Sequence, residues 1–318
     1  MAGRTMTKTV GMDELMQNQK KLVYHYTSIN SFIKIADELK NGHLLFHANG
    51  LHYMNDSSEF IYGFKKFCEL LPSMEKEIEG LNEELKLSNV IDKWNSYMNG
   101  HWEEMFIRTL KEENRTPFVI STSSDGDSIP MWAMYGYKGQ GVAIGMEIVP
   151  YYTMTKTPDG KTVYDITKYG DIKTRAFKVM PSLPLEHPAI IESKMAYKKY
   201  IAKAQQGYGD LTEMKLIAIY QMSVLSAALI KHPAFEFEKE WRILSFPQKP
   251  DDILYKTNIN NDITPYIKQT ISLSALKKII IGPCNNGKYQ KSIIEQLLRL
   301  KGNITNCQVV FSKIPYKG

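Results

Sequence analysis

The sequence predicts a mixed α+β fold, built as one compact domain over residues 21–318 with helical insertions at about 70–115 and 187–232. Three observations predict it. Short runs of β-forming residues recur from residue 22 to the C-terminal tail, and stretches with helical apolar spacing separate them. No repeat, low-complexity tract or Gly/Ser/Pro-rich linker divides the chain. With 318 residues, 43% of them apolar, there is enough material for a substantial core.

The elements follow in order. Residues 1–20, beginning "MAGRTMTKTV", are polar, lack the apolar centre of a signal peptide and read as a flexible N-terminus. "LVYHY" (22–26) is a strand; Thr27 or Ser28 caps a helix over 29–40, and Gly42 stops it. "HLLFHA" is a second strand. "MNDSSEFIYGFKKF" opens a helix with Asp56 or Ser57 as cap and Glu59 in the first turn, where its charge suits the helix dipole. Residues 75–113 are charged, periodic helical cover. "TPFVISTSS" is a strand, "SIPMWAMYG" a turn or short helix, and "GVAIGMEI" a strand. Residues 161–180 form a hairpin region, and 189–231 one or two long helices. "FEFEKEWRILSF" alternates with period two and reads as a strand. The tail is strand ("LKKIIIG"), helix (288–300), strand ("CQVVFSK").

Composition narrows the function classes. No apolar run reaches the roughly 18 residues of a membrane span, so no membrane role is expected. Three scattered cysteines form neither a disulfide framework nor a metal motif, which fits a reducing, cytoplasmic location. The net charge of +6 is a mild bias compatible with nucleic acid.

Several stretches carry chemistry-bearing side chains. His25 ends a strand beside Tyr24, Tyr26, Thr27 and Ser28, where a strand passes into a helix start and free N–H groups face a cleft. His43 and His47 suggest a metal, but four residues apart in a strand they stand about 13 Å apart, too far for one zinc ion, so no metal is expected. Trp132, Tyr135 and Tyr137 interleave with Gly136, Gly139 and Gly141, which would let a planar ligand approach the backbone. In "HPAFEFEKEWRIL", strand alternation would put Glu236, Glu238 and Glu240 on one face with Arg242. Such a face repels itself unless it is solvated or lines a site. "GPCNNGKY" (282–289) has phosphate-loop spacing, but Tyr289 replaces the magnesium-binding hydroxyl residue, and a plain strand-to-helix turn explains it better.

Together, Tyr24–Ser28 (Y-H-Y-T-S), Asn55-Asp56-x-x-Glu59, Met131-Trp132-x-x-Tyr135 with Gly141, and Glu238-x-Glu240-Trp241-Arg242 resemble the pattern of a bacterial family of uncharacterised proteins. The opening motif is similar to the first strand of histidine-class ADP-ribosyltransferases, including DNA- and RNA-modifying toxins. The resemblance implies a split β-sheet core and an NAD-dependent transfer of ADP-ribose, in a toxin or antiviral defence effector. It implies NAD as co-substrate and no metal. His25 would bind a ribose hydroxyl, supported by Thr27 or Ser28, with Tyr26 taking part through its backbone. Glu240 would be the leading catalytic carboxylate and Glu238 the alternative. Tyr53, Asn55 and Tyr135 would lie against the cofactor, with Tyr53 or Tyr135 stacking on nicotinamide. Arg242 would orient a carboxylate or contact phosphate. Many relatives have glycine where this chain has Tyr26.

From Lys288 on, six basic residues face one acid (Glu295), which tilts the expected acceptor toward nucleic acid, RNA or DNA, over protein. A toxin would also require an antitoxin or regulator protein. The alternative reading is a non-catalytic nucleotide- or ligand-sensing module on the same fold.

Overall fold

A computed structural model describes residues 20–53, 59–98, 117–157, 162–166, 176–247, 249–257, 261–285 and 287–316. Among these, the chain forms one large mixed sheet of ten strands, a separate two-stranded hairpin and several helices. No described helix is long and apolar enough to cross a membrane.

Strand β1 (Lys21–Thr27) runs into α1 (Ile29–Ile35), as the pattern predicts. Ser28 is the cap: its Oγ accepts from the Ser31 N–H at 3.1 Å. The predicted single helix over 29–40 tightens to 3₁₀ geometry at Ala36–Asn41 and stops at Gly42, whose φ is +79°. Strand β2 (His43–Gly50) follows, then α2 (Glu59–Cys68), α3 (Leu71–Lys76) and α4 (Ser88–Met98). The expected caps Asp56 and Ser57 lie outside the described residues, as do residues 99–113 of the expected helical stretch.

Strand β3 (Phe118–Ser123), α5 (Ile129–Met134) and β4 (Val142–Ile148) match the reading. Strands β5 (Tyr152–Lys156) and β6 (Thr162–Ile166) form the separate hairpin, and β7 (Ala176–Lys178) joins the main sheet. The expected helical stretch 189–231 is two helices, α6 (Pro188–Gln205) and α7 (Leu211–Ala227).

The expected strand "FEFEKEWRILSF" is corrected. Pro233–Glu238 is a 3₁₀ helix capped by His232, Lys239 turns left-handed at φ +46°, and only Glu240–Ser245 is strand, β8. Glu236, Glu238 and Glu240 therefore do not share a strand face. The break spares the chain three like charges in one row. Strands β9 (Leu254–Thr257) and β10 (Ile263–Ser272) were not anticipated, whereas β11 (Leu276–Ile281), α8 (Gln290–Gly302) and β12 (Gln308–Phe311) follow the expected tail.

The main path of the sheet runs β12-β11-β4-β1-β3-β2-β10-β9, with β8 beside β3 and β7 beside β8. Pairing is antiparallel except for β11 with β12. Strand β3 matters most for the site. One edge pairs with β8 along its whole length, Phe118↔Ser245 to Ser123↔Glu240. The other edge is shared: Phe118 and Val119 pair with β2, and Ser123 pairs with Tyr24 of β1. Strands β1 and β2 thus diverge along β3, on either side of Ser121.

Three apolar clusters surround this sheet. Helices α1 and α8 bury Phe32, Ile35, Ile294 and Leu298 against Ile144, Trp241, Ile243 and Ile279. Helices α2, α3, α6 and α7 form a second core over Val119 and Leu244. Helix α5 places Trp132 against Tyr24 and Tyr26.

Candidate functional site

Where β8 begins, five charged side chains from four places in the chain converge, each at most 7% exposed. Glu240 and Arg242, two residues apart, share the face of β8 that carries Leu244 toward the helical core. Glu59 is the first residue of α2, Lys231 follows α7, and Glu238 closes the 3₁₀ turn. Arg242 donates from Nε to Glu240 Oε1 and from Nη2 to Glu240 Oε2, both at 2.9 Å. Its Nη1 donates to the Ala228 carbonyl at 2.7 Å, and Nη2 also reaches Glu59. Lys231 Nζ donates to Glu238 at 2.6 Å and Glu240 at 3.1 Å, and lies 3.5 Å from Glu59. Tyr135, the last residue of the α5 turn, donates its hydroxyl to Glu238 Oε1 at 2.8 Å.

The electrostatics follow from this pairing. Burial alone would favour a protonated Glu240, but Arg242 and Lys231 outweigh it and lower its pKa from 4.5 to about 2. Burial also works against the Lys231 and Arg242 cations, yet Glu240 and Glu59 hold both above their usual values. Burial, then the nearby Glu238 charge, raises the Tyr135 phenol. Tyr135 therefore stays a hydrogen-bond donor at neutral pH. Three carboxylates against two cations leave one formal negative charge, held in a largely dry setting.

His25 sits at the divergence of β1 and β2. Its Nδ1 lies 2.9 Å from the Ser121 carbonyl. A carbonyl oxygen only accepts, so Nδ1 carries the hydrogen and Nε2 of the neutral ring is an acceptor. Burial, aided by the Lys256 charge, lowers the His25 pKa and keeps the ring neutral. Phe46 of β2 packs edge-on against the imidazole at 5.3 Å. On the same stretch of β2, the shielded Asn49 Oδ1 has no hydrogen-bond partner among the described residues. By register, His25 pairs with Ile144, whereas Tyr24 pairs with Ser123 and Ser123 with Glu240. His25 and Glu240 thus flank β3 from its two edges, with side chains on opposite faces by strand alternation.

The other anticipated residues are placed as follows. The Tyr26 hydroxyl donates to the Asp125 carbonyl at 2.8 Å and accepts from the Ser128 N–H at 3.2 Å. Thr27 is buried, and its carbonyl meets Gly141 so closely that an added Cβ there would lie 2.1 Å away. The glycine after the aromatic set thus serves an approach of chain to chain, where the sequence suggested chain to ligand. Ser28 caps α1 and lines a cavity of about 360 Å³ with Ile29, Asn30, Tyr137, Gln140, Cys284 and Asn285. Tyr53 is 40% exposed beyond the end of β2. Asn55 lies outside the described residues.

The structure therefore brings together Tyr135, Glu238, Glu240 and Arg242, and places His25 across β3 from them. Sequence reasoning missed Lys231, which carries no motif, and gave Glu59 only a dipole role. Its place in N-D-x-x-E was the available signal.

Residues 131–243 match the model of a family described as a protein of unknown function, DUF2971. That segment contains Tyr135, Lys231, Glu238, Glu240 and Arg242, while His25 and Glu59 lie outside it. No curated protein and no solved structure gives a significant match.

Proposed function

We propose that the chain transfers ADP-ribose from NAD to a macromolecular acceptor, as a toxin or antiviral defence effector acting in the cytoplasm. One juxtaposition supports this above all. The histidine strand β1 and the E-x-E strand β8 flank the same short strand β3, with Ser121 accepting from His25 on one edge and Ser123 in register with Glu240 on the other. The divergence of β1 from β2 fits the split sheet that the resemblance implies.

Because His25 and Glu240 point to opposite faces of β3, NAD in this reading passes around the end of that strand, where the neutral His25 Nε2 accepts from a ribose hydroxyl. The C1′–N bond breaks, nicotinamide leaves with the bonding pair, and positive charge develops on the ribose. An ionised carboxylate opposite that charge lowers the barrier. The acceptor nucleophile then bonds to C1′ and loses a proton to a carboxylate or water. Glu238 suits the contact with substrate better than Glu240. Both oxygens of each carboxylate are engaged, but Arg242 grips Glu240 through two charged N–H groups, whereas one Glu238 oxygen is held only by the neutral Tyr135 hydroxyl, which a substrate hydroxyl can replace. Glu240 and Arg242 then position the turn that carries Glu238.

The test uses NAD labelled in its adenylate, with RNA, DNA and protein offered as acceptors, followed by separation of labelled products and assay of free nicotinamide. Label transfer that is lost in Glu238→Gln and His25→Ala supports the reading. A wild-type protein that releases no nicotinamide with any acceptor refutes it.

One observation favours the alternative, a ligand-sensing module without catalysis: Glu59, Glu238 and Glu240 are each already paired with Arg242 or Lys231. That alternative predicts NAD or nucleotide binding with no nicotinamide release.

A further inference from the structure

The outer strands carry a feature that the ion-pair cluster does not use. Register pairs Lys268 of β10 with His47 of β2, and Tyr266 with Asn49, so these four side chains share one face. The apolar residues between them, Phe46, Ala48 and Ile267, point to the core on the other face. On β9, Lys256 pairs with Thr264 and thus joins the Tyr266 side. The rings of His47 and Tyr266 stack at 4.2 Å with a 31° tilt, and Lys256 Nζ lies 5.2 Å from the Tyr266 centroid. Lys34, on α1 across the sheet, adds its charge to those that lower the His47 and Lys256 pKa values.

None of Lys34, Lys256 and Lys268 has a carboxylate within salt-bridge distance among the described residues. Lys34 and Lys268 are exposed, and Lys256 is half-buried. The cations depress one another: burial and Lys34 lower the Lys256 pKa, and burial with Lys256, Lys268 and Lys34 lowers that of His47. Among the described residues, like charge thus gathers around a two-ring stack with no ion pair to these three lysines, although Lys268 also lines a cavity with Glu192, Asp251 and Asp252. A surface of this kind is complementary to a polyanion with planar groups.

We propose that the β2–β10–β9 face binds single-stranded nucleic acid, with a base extending the His47–Tyr266 stack and backbone phosphates meeting Lys34, Lys256 and Lys268. The basic C-terminal segment singled out by the sequence is not needed for this surface. Nor does the proposal need the transferase reading, because binding is measured without NAD. If both hold, the surface presents the acceptor strand.

The experiment is fluorescence anisotropy with the full chain and a labelled 12-nucleotide RNA of mixed sequence, titrated from 25 to 300 mM salt. Competitors are unlabelled RNA, duplex DNA, a mononucleotide and NAD. The expected result is binding that weakens steeply with salt and is displaced by single-stranded RNA far better than by mononucleotide or NAD. Lys34→Glu combined with Lys268→Glu, both at exposed positions, should weaken binding at least 10-fold and flatten the log–log salt slope by about 1.4, the loss of two phosphate contacts. Tyr266→Leu, which keeps bulk and removes the ring, should weaken binding several-fold with little change of slope. The proposal fails if the wild type does not bind RNA at low salt, or if the double variant binds as the wild type does. It fails equally if mononucleotide or NAD competes as well as the 12-mer, which would mark a small-ligand site instead.

Discussion

Arg242 binds both oxygens of Glu240 at 2.9 Å, from a position two residues along the same strand, and reaches Glu59 at the start of α2 with the same guanidinium. The pair therefore joins β8 of the sheet to the helical layer. Removing one member of a buried pair leaves an uncompensated charge, at a cost of about 3–5 kcal/mol. Arg242→Gln should lower the melting temperature sharply, and Arg242→Met with Glu240→Leu should cost less than the sum of the single changes. Calorimetry on the three variants checks both statements; additive losses would contradict the coupling.

Acid sensitivity has two expected windows. Burial lowers the His187 pKa to about 4, so the folded state takes up its proton later than the unfolded chain does. Stability from this group is full above its ordinary value near 6.5 and falls as pH drops from there toward 4. Glu240, lowered to about 2, contributes stability above its ordinary 4.5 and loses it as pH falls through 2. Denaturant titrations from pH 7 to 2 should show both declines. His187→Gln should shrink the upper one, to which His25 and His47 also contribute in the same direction, and a profile unchanged by that substitution would contradict the assignment.

Gly63 of α2 lies against α7: an added Cβ would stand 2.2 Å from the Ala227 carbonyl oxygen. That oxygen is backbone and cannot swing aside, so the helices must part. Gly63→Ala should destabilise by roughly 1–3 kcal/mol and disturb the neighbouring contact of Glu59 with Arg242. Urea unfolding measures the loss, and a neutral substitution would show that the helices slide freely.

Asp127 ties the C-terminal strand to α5. Its Oδ1 accepts from the Trp132 indole at 2.7 Å and the Ser312 hydroxyl at 2.6 Å, and its Oδ2 accepts from the Lys313 N–H at 2.9 Å. Asp127→Ala should strip hydrogen-exchange protection from residues 308–314 before the rest of the sheet is affected. Unchanged protection there would contradict the tie.

Much of the strand and helix order was legible because apolar spacing and caps such as Ser28 and Gly42 are local signals. The carboxylate turn was not. Alternation in "FEFEKEW" has the period of a strand, but period alone cannot register that Lys231, brought in after α7, attracts Glu238 and Glu240 together. The left-handed turn at Lys239 is the local consequence of that tertiary contact. Strand β10 escaped notice because Pro265 interrupts its run. For Glu59, the first-turn position explained the residue well enough locally to hide its partner 183 residues away.

The central claim rests on Glu238, held between Lys231 and Tyr135. The most direct measurement is nicotinamide release from NAD by wild type and Glu238→Gln, with acceptor present and folding verified by circular dichroism. The account predicts release by the wild type and a loss of at least about 100-fold in the variant. Equal release by the two proteins, or none from the wild type, would contradict it.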